Sequence, residues 1–227
     1  MRPAYCSDWD LVVRWQSPED RGRLLDVGCG NGDVLQTLSQ LGWTVEGTDV
    51  DSSSVAFARS RGLTVHHGDL STLELKEASF DVVSMSHVIE HVHHPDQLVE
   101  RARRLLKPGG KLVIVTPNVR GALFKKHRAN WLHLDPPRHL ILFSAPSLRH
   151  LVESFGFRNI EVRSSVRAFS YLEHASSQIG EWGRSDWHSR PKSLVSRART
   201  GLAERLVAFK KACGTAEGDE LVLTATL

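Results

Sequence analysis

Leu24-Leu25-Asp26-Val27-Gly28-Cys29-Gly30-Asn31-Gly32 is the stretch on which the fold turns. Its apolar half reads as a buried strand, and the alternate glycines that follow read as a tight turn. Glycine is needed where φ is positive or where the backbone must come close to a ligand. A helical pattern then runs over Asp33–Leu41, so the free N–H groups of its first turn point back at the glycines. Seventeen residues past Gly32 stands Asp49, at the end of a second apolar run. A carboxylate placed there suits the two hydroxyls of an adenosine ribose.

The alternation set up by this unit continues. Strands are expected at Arg23–Val27, Trp43–Thr48, Leu63–His66, Phe80–Met85 and Lys111–Thr116, with helices at Asp33–Leu41, Ser52–Arg61 and Asp96–Leu106 between them. Strands alternating with helices give βαβ units and a parallel sheet. Asp51 and Ser52 suit the cap of the second helix, and Pro95 suits the first turn of the third. Lys107-Pro108-Gly109-Gly110 is expected to stop that helix and turn the chain into the next strand. Beyond Thr116 the pattern changes. Residues 117–143 read as a loop-like insertion. A helix at Ala145–Phe155 and strands at Asn159–Ser165 and Glu220–Leu227 follow, and residues 168–218 read as a second, polar insertion with one helical stretch. The expected organisation is one domain over 1–227 whose two insertions cap an acceptor pocket.

Bulk composition fits that picture. Of 227 residues, 41 % are hydrophobic and 24 % charged, ordinary values for a globular chain, which argues against disordered and fibrous classes. No apolar run approaches the roughly 20 residues of a membrane span, and the first residues lack the apolar core of a signal peptide. The cysteines, Cys6, Cys29 and Cys213, form no CxxC pair, so a zinc–thiolate site is not expected and a cytoplasmic location is. A formal charge of +3, with no dense basic stripe, argues against a nucleic-acid substrate.

Two readings of the glycine turn compete. Dinucleotide enzymes use GxGxxG and seat a pyrophosphate on the helix N-terminus. Here the third glycine position is Asp33, whose charge would face that pyrophosphate. S-adenosylmethionine (SAM) carries a sulfonium, an ammonium and a carboxylate but no phosphate, and tolerates the acid. Five stretches in order then carry a resemblance: LLDVGCGNG at 24–32, VEGTDVD at 45–51, HGDL at 67–70, SFDVVSMSHVIEHV at 79–92 and LLKPGGKLVIVTPN at 105–118. With PPRHLILFSAPSLRHLVESFGF at 136–157, the chain resembles the class I SAM-dependent methyltransferases. The similarity is greatest to the branch of ubiquinone-biosynthesis O-methyltransferases and bacterial sugar and natural-product methyltransferases. The resemblance implies a Rossmann-like, doubly wound α/β fold with a seven-stranded, mostly parallel sheet whose last strand is antiparallel. It further implies that Asp26, Gly28 and Gly30 hold the methionine end of SAM and Asp49 the ribose. Val50 would flank the adenine, Asp69 would accept from the adenine amino group with Leu70 beside it, and Ser86 would complete the cofactor set.

Ser86-His87-Val88-Ile89-Glu90-His91-Val92-His93-His94 follows the fourth strand, at the edge of the sheet where ligands of open α/β folds bind. A hydroxyl acceptor has to lose its proton during methyl transfer, and histidine suits that task. In the family this loop runs under the transferred methyl group, which makes His87 the first candidate for the base, with His91 and His139 as further catalytic candidates. A divalent metal on Glu90, His91 and His139 is a second reading, by likeness to small-RNA 2′-O-methyltransferases, although His87 stands where those enzymes carry a second Glu; a metal is not expected. A third reading makes Glu90 and His91 structural partners. In the first insertion Trp131, Leu132 and Leu134 are expected to wall the acceptor pocket, and Lys125, Lys126, Arg128 and Arg138 to meet an anionic acceptor. Residues 194–211 form a basic amphipathic pattern with Leu194, Val195, Ala198, Leu202, Leu206 and Phe209 on one arc. That arc suits a lid or dimer helix, or peripheral contact with a membrane. The sequence therefore points to SAM-dependent O-methylation of a small-molecule or lipid-linked acceptor. N- or C-methylation of a small metabolite, or a non-catalytic SAM-binding subunit, are the alternatives.

Overall fold

The computed structural model describes residues 21–185, 194–214 and 217–227. Cys6 and the side chains of Leu194, Val195 and Ala198 lie outside what it describes. The elements run β1 (Arg23–Val27), α1 (Asp33–Gln40), β2 (Thr44–Asp49), α2 (Ser52–Ser60), β3 (Val65–His67), β4 (Phe80–Ser86) and α3 (Pro95–Leu105). They continue as β5 (Leu106–Pro117), α4 (Ala122–His127), α5 (Ala145–Glu153), β6 (Arg158–Ser165), α6 (Phe169–Trp182), α7 (Leu194–Ala212) and β7 (Glu220–Thr226). The strands form one seven-stranded sheet in the order β3-β2-β1-β4-β5-β7-β6. β1 to β5 pair in parallel, and β7 runs antiparallel between β5 and β6. The order reverses between β1 and β4, so the crevice at the carboxyl ends of those two strands is where a ligand is expected.

Alternate side chains of the strands pack against the helices on the two faces of the sheet. Leu25, Val83, Met85, Leu112, Ile114, Leu221 and Leu223 bury one face against Leu98, Ala102 and Leu105 of α3 and Leu148 and Val152 of α5. Leu24, Val82, Val113 and Val222 bury the other against Leu35 and Leu38 of α1 and Val55 and Ala58 of α2. Asp51 caps α2 by accepting from the backbone of Ser53 and Ser54, and Pro95 opens α3. Both follow from the sequence.

Three parts differ from expectation. Lys107-Pro108-Gly109-Gly110 does not separate helix from strand. β5 begins at Leu106 opposite Phe80, and the glycine stretch is an irregularity before pairing resumes at Val82–Lys111. The segment after Thr116 holds a helix, α4, and the 168–218 stretch holds two helices rather than one. These form a third core: Leu123, Trp131, Leu132, Phe169, Leu172 and Ala175. The arc of α7 is also turned around. Ala203 and Val207 pack against the third core, while Leu202, Leu206 and Phe209 are exposed. Among the described residues no helix is long and apolar enough to cross a membrane.

Candidate functional site

Two cavities meet at the loop after β4. The first, about 350 Å³, lies over the β1–β4 crevice and is lined by Gly28, Asp49, Val50, Asp69, Leu70, Val88 and, on its far side, His87 and His91. The second, about 320 Å³, is lined by His87, His91, Leu132, His133, Asp135, Arg138, His139, Ala168, Tyr171, Leu172 and Glu220. His87 and His91 belong to both, so a group passed from one cavity to the other passes beside them.

The glycine turn builds the floor of the first cavity. Gly28, Gly30 and Gly32 all have positive φ, near 71°, 54° and 80°. A Cβ on Gly28 would come within 2.4 Å of Val88 Cγ2. The Gly28 and Cys29 amides donate to Thr48 O. The Gly30 amide donates to Asp49 Oδ2 at 2.7 Å, and Asp49 Oδ1 accepts from the Asp51 amide at 2.8 Å. Asp49 is thus fixed by two backbone donors, with lone pairs left for a ligand. Val50 stands 69 % exposed beside it. Asp69 lines the same cavity, while its Oδ1 accepts from Ser71. Asp33 is paired with Arg61 at 2.7 Å.

Asp26 is buried beneath the turn and accepts from Ser84 Oγ at 2.7 Å. Burial pushes its carboxyl up to about 7 against the pull of Ser84, with the charge of Asp49 adding to the rise. It is not among the residues lining the cavity, so any effect on a ligand passes through the turn. Ser86 ends β4 exposed and lines neither cavity.

The loop after β4 holds its histidines in different states. His87, at φ 55°, places Nδ1 3.0 Å from Glu90 Oε1 and Nε2 3.1 Å from Glu220 Oε1. Carboxylates only accept, so both ring nitrogens donate and the ring is an imidazolium. Burial acts to lower its pKa, but the hydrogen bonds and charges of Glu220 and Glu90 push it up to about 10. Glu90 has no exposed surface, and its second oxygen accepts from Thr116 Oγ1 at 2.9 Å. Burial alone would raise the Glu90 carboxyl; His87 holds it below the usual range. The expectation that His87 takes a proton therefore meets a ring with no lone pair to offer.

His91 and His139 are held differently, each by a carbonyl oxygen and not by a carboxylate. His91 Nδ1 donates to Arg138 O at 2.9 Å and His139 Nδ1 donates to His133 O at 2.6 Å, because a carbonyl oxygen cannot donate. Each ring therefore carries a hydrogen on Nδ1, which leaves Nε2 as the ring atom turned to other partners. The rings lie edge to face, 4.6 Å between centroids. The amides of Leu140 and Ile141 bring the two segments together by donating to Glu90 O. His133 is kept neutral, down to about 3, by burial first and then by the charges of His87 and His139.

Glu90, His91 and His139 each place one ligand atom within 4.8 Å of the others. Both Glu90 oxygens already accept, one from His87 and one from Thr116, so a metal there would share the carboxylate with those two donors. Of the expected pocket wall, Leu132 lines the second cavity, whereas Trp131 is buried in the third core. Lys126 pairs with Glu173 and Arg138 with Asp135. Lys125 and Arg128 are exposed and line neither cavity. Glu220, which the sequence reading did not single out, lines the second cavity and joins the cluster through His87.

The chain is similar in sequence and in fold to known methyltransferases. A family model described as a methyltransferase domain matches residues 2–162. A Mycolicibacterium smegmatis protein named a probable S-adenosylmethionine-dependent methyltransferase is 34 % identical over 148 residues, 64 % of this chain and 54 % of its own length. A ubiquinone biosynthesis O-methyltransferase of Nitrosococcus oceani is 38 % identical over 103 residues, 42 % of this chain and 44 % of its own. The chain spans about half the length of the curated relatives it matches. A solved SAM-dependent methyltransferase of Archaeoglobus fulgidus superposes with a TM-score of 0.63 at 20 % identity, over 96 % of this chain and 98 % of its own. At that identity the likeness speaks for the fold.

Proposed function

Because the chain belongs to the methyltransferase-domain family, the class I SAM-dependent methyltransferases, we propose that it methylates a hydroxyl of a small-molecule or lipid-linked acceptor. SAM is the family's methyl donor, and the first cavity suits it. Asp49 is held at the end of β2 where ribose hydroxyls need acceptors, Val50 and Leu70 offer apolar surface to an adenine, and the turn at Gly28 has no room for a side chain. When bound, SAM supplies a methyl group on a sulfonium, an electrophile that needs no further activation.

The observation that carries the hydroxyl reading is the pair of imidazoles lining the second cavity, His91 and His139, each held through Nδ1–H by a carbonyl oxygen. His91 lines both cavities, so its Nε2 is the atom we assign to take the acceptor's proton. Arg138 O steadies the resulting imidazolium through Nδ1–H, and His139 packs edge-on against the ring. His87 holds its proton throughout and positions the loop. A base of this kind contributes about 10²–10⁴-fold, and alignment of the reactants supplies much of the rest.

A lipid-linked acceptor is favoured by one feature. α6 lines the second cavity with Tyr171 and Leu172, and α7 beside it exposes Leu202, Leu206 and Phe209 together with Arg205. Such a ridge suits an anionic lipid surface. The catalytic reading is tested with labelled methyl transfer from SAM to a panel of catechols and sugars. His91→Asn should lower turnover while leaving S-adenosylhomocysteine binding intact. Turnover kept in His91→Asn would remove His91 as the base.

A further inference from the structure

We infer that Glu220 sets the charge at the junction of the two cavities and so selects a cationic centre there over a neutral one; the inference rests on the methyltransferase reading above. Three ionised side chains meet at that junction. The His87 imidazolium is bridged by Glu90 at 3.0 Å and by Glu220 at 3.1 Å. Two carboxylates against one cation leave one negative charge unbalanced. Both carboxylates are withdrawn from water, Glu90 fully and Glu220 to 8 % exposure, and a buried uncompensated charge is costly.

Among the described residues lining either cavity, Arg138 is, apart from His87, the one cationic side chain of fixed charge, and it is paired with Asp135. His133 is neutral. Asp49 and Asp69 add acid on the side of the first cavity. The junction is therefore complementary to a positive charge brought by a ligand. The methyl donor carries that charge on sulfur before transfer, and its product, S-adenosylhomocysteine, carries none there. Glu220 lies on the second-cavity side, and its charge is felt at the junction that His87 and His91 share. The Glu220–His87 bond also ties the last strand to the loop after β4, 133 residues away in sequence. A purely structural role would rest on that tie alone.

Calorimetry separates the two roles without knowledge of the acceptor. The probes are SAM, S-adenosylhomocysteine, and sinefungin, which carries an ammonium in place of the methylated sulfonium. Glu220→Gln keeps the shape and an acceptor oxygen for His87 Nε2–H but removes the charge. We expect the affinity ratio of SAM to S-adenosylhomocysteine to fall about tenfold, equivalent to about 1.4 kcal/mol. Sinefungin should follow SAM, and S-adenosylhomocysteine itself should change little. If all three weaken alike, Glu220 is only a tie and the inference is overturned. If the wild-type protein binds none of them, the methyltransferase reading falls and takes this inference with it. Should Glu220→Gln not fold, the wild-type protein decides: equal affinity for sinefungin and S-adenosylhomocysteine overturns the inference.

Discussion

Glu90→Ala removes a carboxylate that has no exposed surface and serves two donors, His87 Nδ1 at 3.0 Å and Thr116 Oγ1 at 2.9 Å. The His87 bond is charge-assisted and contributes about 1.5–3 kcal/mol, and the neutral Thr116 bond contributes about 1 kcal/mol. About a third of the His87 side chain remains open, so solvent screening places the charged bond toward the low end. The expected loss is about 3 kcal/mol, which lowers the melting temperature of a chain this size by roughly 6–12 °C. The same substitution alters the pH dependence. Folded wild-type His87 keeps its proton up to about 10, against 6.5 for an unperturbed imidazole. The stabilisation it confers is complete below 6.5 and is lost as pH rises through the folded value. Without Glu90 the folded value falls and that slope flattens. Thermal unfolding followed by circular dichroism at about pH 6, 8 and 10 reads both effects. A loss under about 1 kcal/mol, with the pH slope unchanged, would refute the bridged-imidazolium account.

Gly28→Ala forces a side chain onto a left-handed residue, φ 71°, and against Val88 Cγ2 at 2.4 Å. Strain of about 1–2 kcal/mol is relieved by shifting the turn, so S-adenosylhomocysteine affinity should fall about tenfold, and calorimetry showing wild-type affinity would count against the cradle. Co-sedimentation with vesicles containing anionic lipid should show binding that is lost when Leu202 and Leu206 are both changed to Glu. Wild-type protein that stays in the supernatant removes the lipid-surface reading.

The fold was largely legible because its signals are local. The β1 run, the glycine turn and the Asp51 cap each lie within a few neighbouring residues, and all three stand where expected. α6 escaped because Ser170, Ser176, Ser177 and Gly180 blur its helical period. The helix instead gains tertiary support, burying Phe169, Leu172 and Ala175 and offering Ser176 Oγ to the Leu132 amide. α7 misled for a related reason. Its small residues Ala203 and Val207 allow close approach to the third core, and Glu204 bonds Ser170 of α6, so the larger apolar side chains were left outside. The histidine cluster was legible as a site but not in its protonation states. Those depend on Glu220, which reaches His87 only because antiparallel β7 sets Glu220 opposite Pro117 at the end of β5, a placement no sequence spacing encodes.

Binding of S-adenosylhomocysteine and of NADH to the wild-type chain and to Asp49→Ala tests the central claim most directly. The β1–β4 crevice sets the Asp49 carboxylate beside a helix that opens on Asp33 rather than on a glycine, and the neighbouring cation Arg61 is bound to Asp33 itself. Calorimetry should show S-adenosylhomocysteine binding to the wild-type protein, weakened about tenfold or more in Asp49→Ala through loss of acceptors for the ribose hydroxyls, a change of about 1.4 kcal/mol or more. NADH should bind more weakly than S-adenosylhomocysteine. Tighter binding of NADH, or S-adenosylhomocysteine binding indifferent to Asp49, would contradict the account.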